Sequence, residues 1–280
     1  MDWARARLIL LVAFTAVNLS LAYLIWGESA RGLIADRGSS RVERDQLRVS
    51  LLQRGVELDP AVVLPPTPQP MRFLRVVHQP ATLPPDLVLN GAGLSVDSQS
   101  GLIGLQPAAQ GAAARGLNLE NRGSVTQFAQ EYGKSINLLP PEAQVSGIYP
   151  QAGTGFLRVE FTPVYNGLPV FAGFVWIDLS TKGVETISRF WVIPEGLKEG
   201  TAKAVRPAQE ALLRVADQLQ ATKAAERRVV EVRLGYYAVP VTVGSPTSLV
   251  RAWDTVPVWQ VRVADGRRYY VNAFNGQLEN

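Results

Sequence analysis

From Leu8 to Trp26 the chain runs LILLVAFTAVNLSLAYLIW, an apolar stretch without a single charged residue. As a helix rising 1.5 Å per residue it spans about 28 Å, close to the roughly 30 Å hydrocarbon core of a bilayer. Such a segment constrains everything after it, because it fixes one end of the chain in the membrane. Arg5 and Arg7 precede it, and Trp3, Tyr23 and Trp26 sit where interfacial aromatic anchors sit. The expected topology is a cytoplasmic N-terminus with the remainder outside the cytoplasm. Arg31, Arg37, Arg41, Arg44 and Arg48 follow the run and weaken the charge asymmetry. Ser20-Leu21-Ala22 offers the alternative of a cleaved signal peptide, but the apolar run continues through Tyr23-Leu24-Ile25-Trp26 and favours a retained anchor.

Beyond the anchor, composition excludes several function classes. There is no cysteine, which removes disulfides, thiolate metal sites and a cysteine nucleophile. The 28 basic residues against 24 acidic ones are dispersed, and their densest clusters, Arg227-Arg228 and Arg267-Arg268, are only pairs. No basic stripe of the nucleic-acid-binding kind is present, so no nucleic-acid partner is expected.

The local patterns predict an α+β protein: an N-terminal transmembrane helix followed by units in which a helix packs on an antiparallel sheet. Residues 1–27 are the cytoplasmic tip and anchor, 28–45 a juxtamembrane connector, and 46–118 a first extracytoplasmic α+β domain. Within this domain a helix is expected near 45–55, with Leu47, Leu51 and Leu52 on one face, and short strands at 61–64, 72–78, 87–90 and 102–106. The Gly- and Ala-rich segment 106–116 reads as a linker. Residues 119–200 form a second unit, with a helix from Ser124, its expected N-cap, to Lys134, followed by strands at 144–149, 156–165, 169–179 and 184–193. Asn166-Gly167 marks a hairpin. Residues 201–280 repeat the pattern, with a helix from Ala208 to Ala221 after Pro207, then strands at 228–239, 257–263 and 268–273 and a turn at Asp265-Gly266. Trp176-Ile177-Asp178 before Gly183 echoes Tyr270-Val271-Asn272 before Gly276, as a duplication would.

Catalytic signals are sparse. His78 is the only histidine, which leaves no multi-histidine metal site, and it sits at a strand end without a nucleophile motif. Gly91-Ala92-Gly93 and Gly101-Leu102-Ile103-Gly104 lack the further residues of a phosphate-binding loop. Asp178, Glu185, Asp254 and Asp265 show no spacing that pairs them as acid and base. No catalytic residue, cofactor or metal is expected, and the chain reads as a non-enzyme. The polar and small residues of the apolar run are more specific. At 100° per residue Thr15, Asn18 and Ala22 fall on one stripe and Ala13, Ala16 and Ser20 on nearly the opposite one, the residue types through which membrane helices approach one another. Trp253 and Trp259, in a tryptophan-dense stretch, are the candidates for an extracytoplasmic contact surface, against the alternative that they fill small cores.

These features together resemble the YycI (WalI) family, within the YycH-like group of two-component regulators. The likeness rests on Met1-Asp2-Trp3 with Arg5 and Arg7 before the apolar helix, and on Tyr165-Asn166-Gly167-Leu168-Pro169-Val170-Phe171. It also rests on the helix 206–213 with the terminal hairpin 269–279, similar to a PepSY-type unit. The resemblance implies a single-pass cell-membrane protein that joins a YycH-like partner and modulates a sensor histidine kinase of cell-wall metabolism. The alternative function class is a secreted or anchored cell-wall or peptide-binding protein, or a hydrolase inhibitor.

Overall fold

The structure, a computed structural model, describes residue 14 and residues 44–66, 68–81, 93–96, 102–106, 117–151, 153–220, 227–238 and 251–279. The anchor expected over 8–26 lies outside them except for Phe14, as do Thr15, Asn18, Ala22, Ala13, Ala16 and Ser20, the strand expected at 87–90 and the linker up to residue 116. Among the described residues no helix is long and apolar enough to cross a membrane. The chain divides into Met1–Gln53 and Arg54–Asn280 rather than at the expected 118/119 and 200/201 boundaries.

In the first unit, helix α1 covers residues 44–53. Leu47 and Leu51, one turn apart, are buried, whereas Leu52 is 62% exposed and does not share their face.

The second unit is built on a 12-stranded, almost wholly antiparallel sheet. Its first strands are β1 (Glu57–Leu58), β2 (Leu74–Gln79), β3 (Gly93–Val96) and β4 (Ile103–Gln106). The segment 61–64 forms no strand. Helix α2 (Arg122–Ser135) is capped by Asn121, whose side chain accepts from the backbone N–H of Gly123 and Ser124 at 3.1 and 3.2 Å. The cap therefore falls three residues before Ser124, whose own hydroxyl donates back to Asn121 O. A meander follows: β5 (Gln144–Pro150), β6 (Leu157–Thr162), β9 (Phe174–Ser180) and β10 (Gly183–Leu197). The short pair β7 (Val164–Tyr165) and β8 (Leu168–Pro169) is inserted between β6 and β9. Asn166 and Gly167 both take positive φ, 49° and 79°, as a two-residue hairpin of the expected kind requires.

Helix α3 (Ala208–Leu219) opens after Pro207 and buries the expected Ala211, Leu212, Val215 and Leu219. The strands β11 (Arg228–Tyr237), β12 (Ala252–Val263), β13 (Arg268–Asn272) and β14 (Leu278–Glu279) then form the second meander. The helix-then-meander order recurs as expected, but the two meanders are not separate domains. The sheet order β1-β11-β12-β2-β10-β9-β6-β5 places β2 between β12 and β10. Its backbone pairs with both, Val76 lying opposite Trp253 on one side and Pro194 on the other. A strand from the expected first domain thus joins the two later ones.

Strand alternation sorts the residues by face. Leu157, Val159 and Phe161 of β6 and Val175, Ile177 and Leu179 of β9 pack in one apolar cluster with Val125 and Ala129 of α2, Leu138 and Trp191. Their neighbours in sequence point the other way.

Candidate ligand-binding site

The opposite face of β6 carries Arg158, Glu160 and Thr162, and that of β9 carries Phe174, Trp176 and Asp178. On the second meander the corresponding positions are Arg228, Arg233 and Tyr237 of β11, Gln260 and Arg262 of β12, and Arg268 and Tyr270 of β13. Five strands separate β5 from β11 in the sheet, yet residues of β5 and β6 touch residues of β11 and β13. Arg233 donates to Ser146 O at 2.7 Å, Tyr149 donates to Glu231 at 3.2 Å, and Arg268 donates to Glu160. The sheet must therefore curl, its two ends meeting through these contacts where, among the described residues, no backbone ladder joins them. Between the two ends lies a cavity of about 600 Å³.

The cavity wall alternates guanidinium groups with aromatic rings. Arg262 lies 3.9 Å over Tyr149, Arg158 4.6 Å over Trp176, and Arg268 5.6 Å from the same indole. Phe174 stacks on Trp176 at 4.0 Å and Tyr237 on Tyr270 at 3.9 Å. A guanidinium over a ring face can still donate from its N–H groups, as Arg158 does to Asp178 and Arg262 to Glu231. Phe171 supplies a further wall, reached because β11 has Gly235 there. A Cβ at that position would sit 2.4 Å from Pro169 O and 2.5 Å from the Phe171 ring.

Carboxylates hold the arginines in register. Asp178 accepts two parallel bonds from Arg158, at 2.7 and 2.8 Å. Glu231 is shared by Arg262 at 2.9 Å and Arg233 at 3.5 Å, and Asp265 takes Arg267 at 2.6 Å. Glu160, 3% exposed, is the deepest. Burial pushes its carboxyl up, against the pull of Arg268, Arg158 and Arg233. Burial alone would lower Arg268, but Glu160 and the neighbouring phenols raise it and keep it charged. Burial, with Tyr270 and Glu279 adding to it, pushes Tyr237 up to about 12; burial raises Tyr149 and Tyr270 as well. These phenols stay neutral at physiological pH and serve as hydrogen-bonding walls. Among the described residues no group of acidic and histidine side chains is arranged to hold a metal.

The residues singled out from sequence lie elsewhere. Trp253 and Trp259 are 6% and 1% exposed, which corrects the expectation that they form a contact surface. Trp259 Nε1 donates to Arg206 O at 2.8 Å, and Trp253 packs 6.2 Å from Phe190. Each indole is drawn inward because its large apolar area outweighs its single polar group. His78 stacks on Phe190 at 4.8 Å, and burial, then Arg189, lower its pKa. Of the acids weighed from sequence, Asp178 and Asp265 do belong to the cavity's ion pairs, while Asp254 pairs with Lys198 at 2.6 Å and Arg75 at 3.5 Å. The cavity's arginines carry no local signal because they are scattered over four strands and the turn between β12 and β13. The available signal was alternation: Arg158-x-Glu160-x-Thr162, Phe174-x-Trp176-x-Asp178 and Gln260-x-Arg262 put charge and aromaticity on one face against a wholly apolar one.

No family model and no curated protein matches the chain. Among solved structures, a crystal structure of an uncharacterized protein from Eubacterium rectale ATCC 33656 is similar, with a TM-score of 0.46 and 12% identity over 80% of this chain and 90% of that one. A likeness at that level carries no argument about function.

Proposed function

We propose that this chain is a membrane-anchored, non-enzymatic regulator whose outer domain receives a ligand in the arginine-lined cavity and whose N-terminal segment, Leu8 to Trp26, carries the response to partner helices. The observation that supports this reading best is the cavity wall. Its Arg158 and Arg262 sit on strands, are clamped by carboxylates, and lie over aromatic rings, an arrangement pre-organised for recognition. By the resemblance read from the sequence, the partners are a YycH-like membrane protein and a sensor histidine kinase, at the cell membrane, with the N-terminus cytoplasmic. The fold class in this reading is PepSY/YycH-like units behind a transmembrane helix.

Two experiments test it. In this cysteine-free chain, cysteines placed at Ser40 and at Ala4 report topology. On intact cells an impermeant thiol reagent should label the first and not the second, and the reverse pattern would overturn the orientation. Affinity capture of the full chain from native membranes should bring down a sensor histidine kinase with a second single-pass protein. Asn18→Leu with Thr15→Leu should weaken that capture by a few-fold to several-hundred-fold, from about 0.6 to 2 kcal/mol per lost interhelical bond. Capture of neither partner, with the chain present full-length in the membrane, would leave the alternative of an anchored binding protein for a cell-wall or peptide ligand.

A further inference from the structure

We propose that the cavity between the two meanders is a binding site for a phosphate-bearing ligand, with Arg228, Arg233 and Arg268 supplying the donors. The inference rests on the reading of this cavity as the receiving face, but it requires neither the membrane partners nor the orientation in the bilayer.

Six guanidinium groups line the cavity, those of Arg158, Arg228, Arg233, Arg262, Arg267 and Arg268. Against them stand four carboxylates: Glu160 and Asp265 in the wall, and Asp178 and Glu231 paired from beside it. Two positive charges are left over in a partly enclosed space, where Coulomb interactions are stronger than in water. The excess is also localised. Arg228 has no carboxylate partner among the described residues, and Arg233 has only the more distant share of Glu231, whose other oxygen serves Arg262.

The hydrogen-bond census points the same way. The Nε of Arg268 and the hydroxyl of Thr162 are buried without a hydrogen-bond partner, and the Nε of Arg233, whose other nitrogens donate to Ser146 O and Gln260, has only the long Glu231 ion pair at 3.5 Å. A buried donor without an acceptor is destabilising, and native structures hold few of them. Here two polar atoms without partners and one weakly paired guanidinium nitrogen belong to residues lining one cavity that also carries excess positive charge. An anion with several acceptor oxygens answers both deficits at once. A phosphate matches better than a carboxylate, because it brings up to two negative charges and three free oxygens to donors that come from different strands. The 600 Å³ cavity falls in the range of small-molecule sites and exceeds what a bare ion fills, so the phosphate is attached to an organic portion.

Glu160 then has a defined part. It accepts from Arg268 and feels Arg158 and Arg233 as well, so it competes with an incoming anion. Glu160→Gln keeps a hydrogen-bond acceptor for Arg268 but removes the competing charge.

The test is titration of the purified full chain in detergent micelles, followed by calorimetry and by thermal unfolding. The probes are pyrophosphate, glycerol 3-phosphate as a soluble monoester, poly(glycerol phosphate) as a diester polymer, and malonate as a dicarboxylate of similar charge. Pyrophosphate should bind and raise the melting temperature, with affinity falling as salt rises. Arg228→Ala, at an exposed strand end, and Arg233→Gln should each weaken it by roughly tenfold or more, whereas Arg214→Gln on the exposed side of α3 should leave it unchanged. Glu160→Gln should tighten it. Preference for glycerol 3-phosphate over the polymer would assign a soluble phosphate ester, and the opposite preference a phosphodiester polymer. Malonate binding as tightly as pyrophosphate would overturn the choice of phosphate. Absence of binding by every phosphate at low salt, or binding indifferent to both Arg228→Ala and Arg233→Gln, would overturn the site. Because no partner protein is present, these outcomes are independent of the membrane capture described above.

Discussion

The two faces of the same strands make the most instructive comparison in this molecule. On β6, Val159 and Phe161 are fully buried against the cluster that includes α2, while Arg158, Glu160 and Thr162, interleaved with them, face the cavity. Both faces are largely withdrawn from water. One is filled by side chains that pack to interior density, the other by ion pairs and rings that leave a 600 Å³ space. The difference indicates that the apolar face holds the fold together and the polar face is shaped for something that is not part of the chain. A buried ion pair contributes little net stability compared with apolar packing of the same volume. Arginines in such number are therefore better explained by recognition than by folding.

Substitutions on the two faces should separate accordingly. Phe161→Ala, on the apolar face, should cost about 3 to 5 kcal/mol in denaturant unfolding of the full chain. A cost under about 1 kcal/mol would mean that this face is not the tightly packed one. Gly235→Ala, on the cavity side, forces a Cβ against Pro169 O and the Phe171 ring. Its expected cost is about 1 to 3 kcal/mol, with the Phe171 wall displaced. A neutral result would show that the hairpin β7–β8 sits more loosely on β11 than the structure has it.

A third test uses the central strand β2. Burial lowers the pKa of His78 in the folded state, so the unfolded chain takes up the proton more readily. The stability from this group is complete above the ordinary histidine value of about 6.5 and is lost as pH falls through the lower, folded-state value. His78→Gln should flatten that part of the pH profile, and an unchanged profile would mean that His78 titrates normally. The smallest effect belongs to neither face. Arg206 and Glu210 form an exposed i,i+4 pair at 2.7 Å, and Glu210→Ala should cost only about 0.3 to 0.5 kcal/mol.

Much of the sheet was legible in the sequence, because strand alternation and turn chemistry are local. The spans 144–149, 184–193 and 228–239, the Asn166-Gly167 hairpin and the buried stripe of α3 all answer to periodicity and to single turn residues. Boundaries were less legible where a side chain acts at a distance along the chain. Asn121, not Ser124, caps α2, since its carboxamide oxygen reaches two backbone N–H groups at once. The pairing of β2 between β10 and β12 was not legible at all, because nothing in Leu74–Gln79 records which strands will flank it. The cavity was hidden for the same reason. Glu160 and Arg268 are 108 residues apart, and only the curl of the sheet brings them together. The tryptophans misled in the opposite direction, since a locally dense aromatic stretch carries no information about which face of the strand will be covered.

Amide hydrogen exchange of the full chain in micelles, with and without saturating pyrophosphate, distinguishes the two faces in one experiment. If the polar face is a receiving site built from both meanders, added protection should appear together in β6, β11 and the β12–β13 turn around Asp265-Gly266, with α2 and α3 on the apolar side unchanged. Protection confined to one meander, spread equally over the helices, or absent at a concentration that saturates calorimetric binding would contradict it.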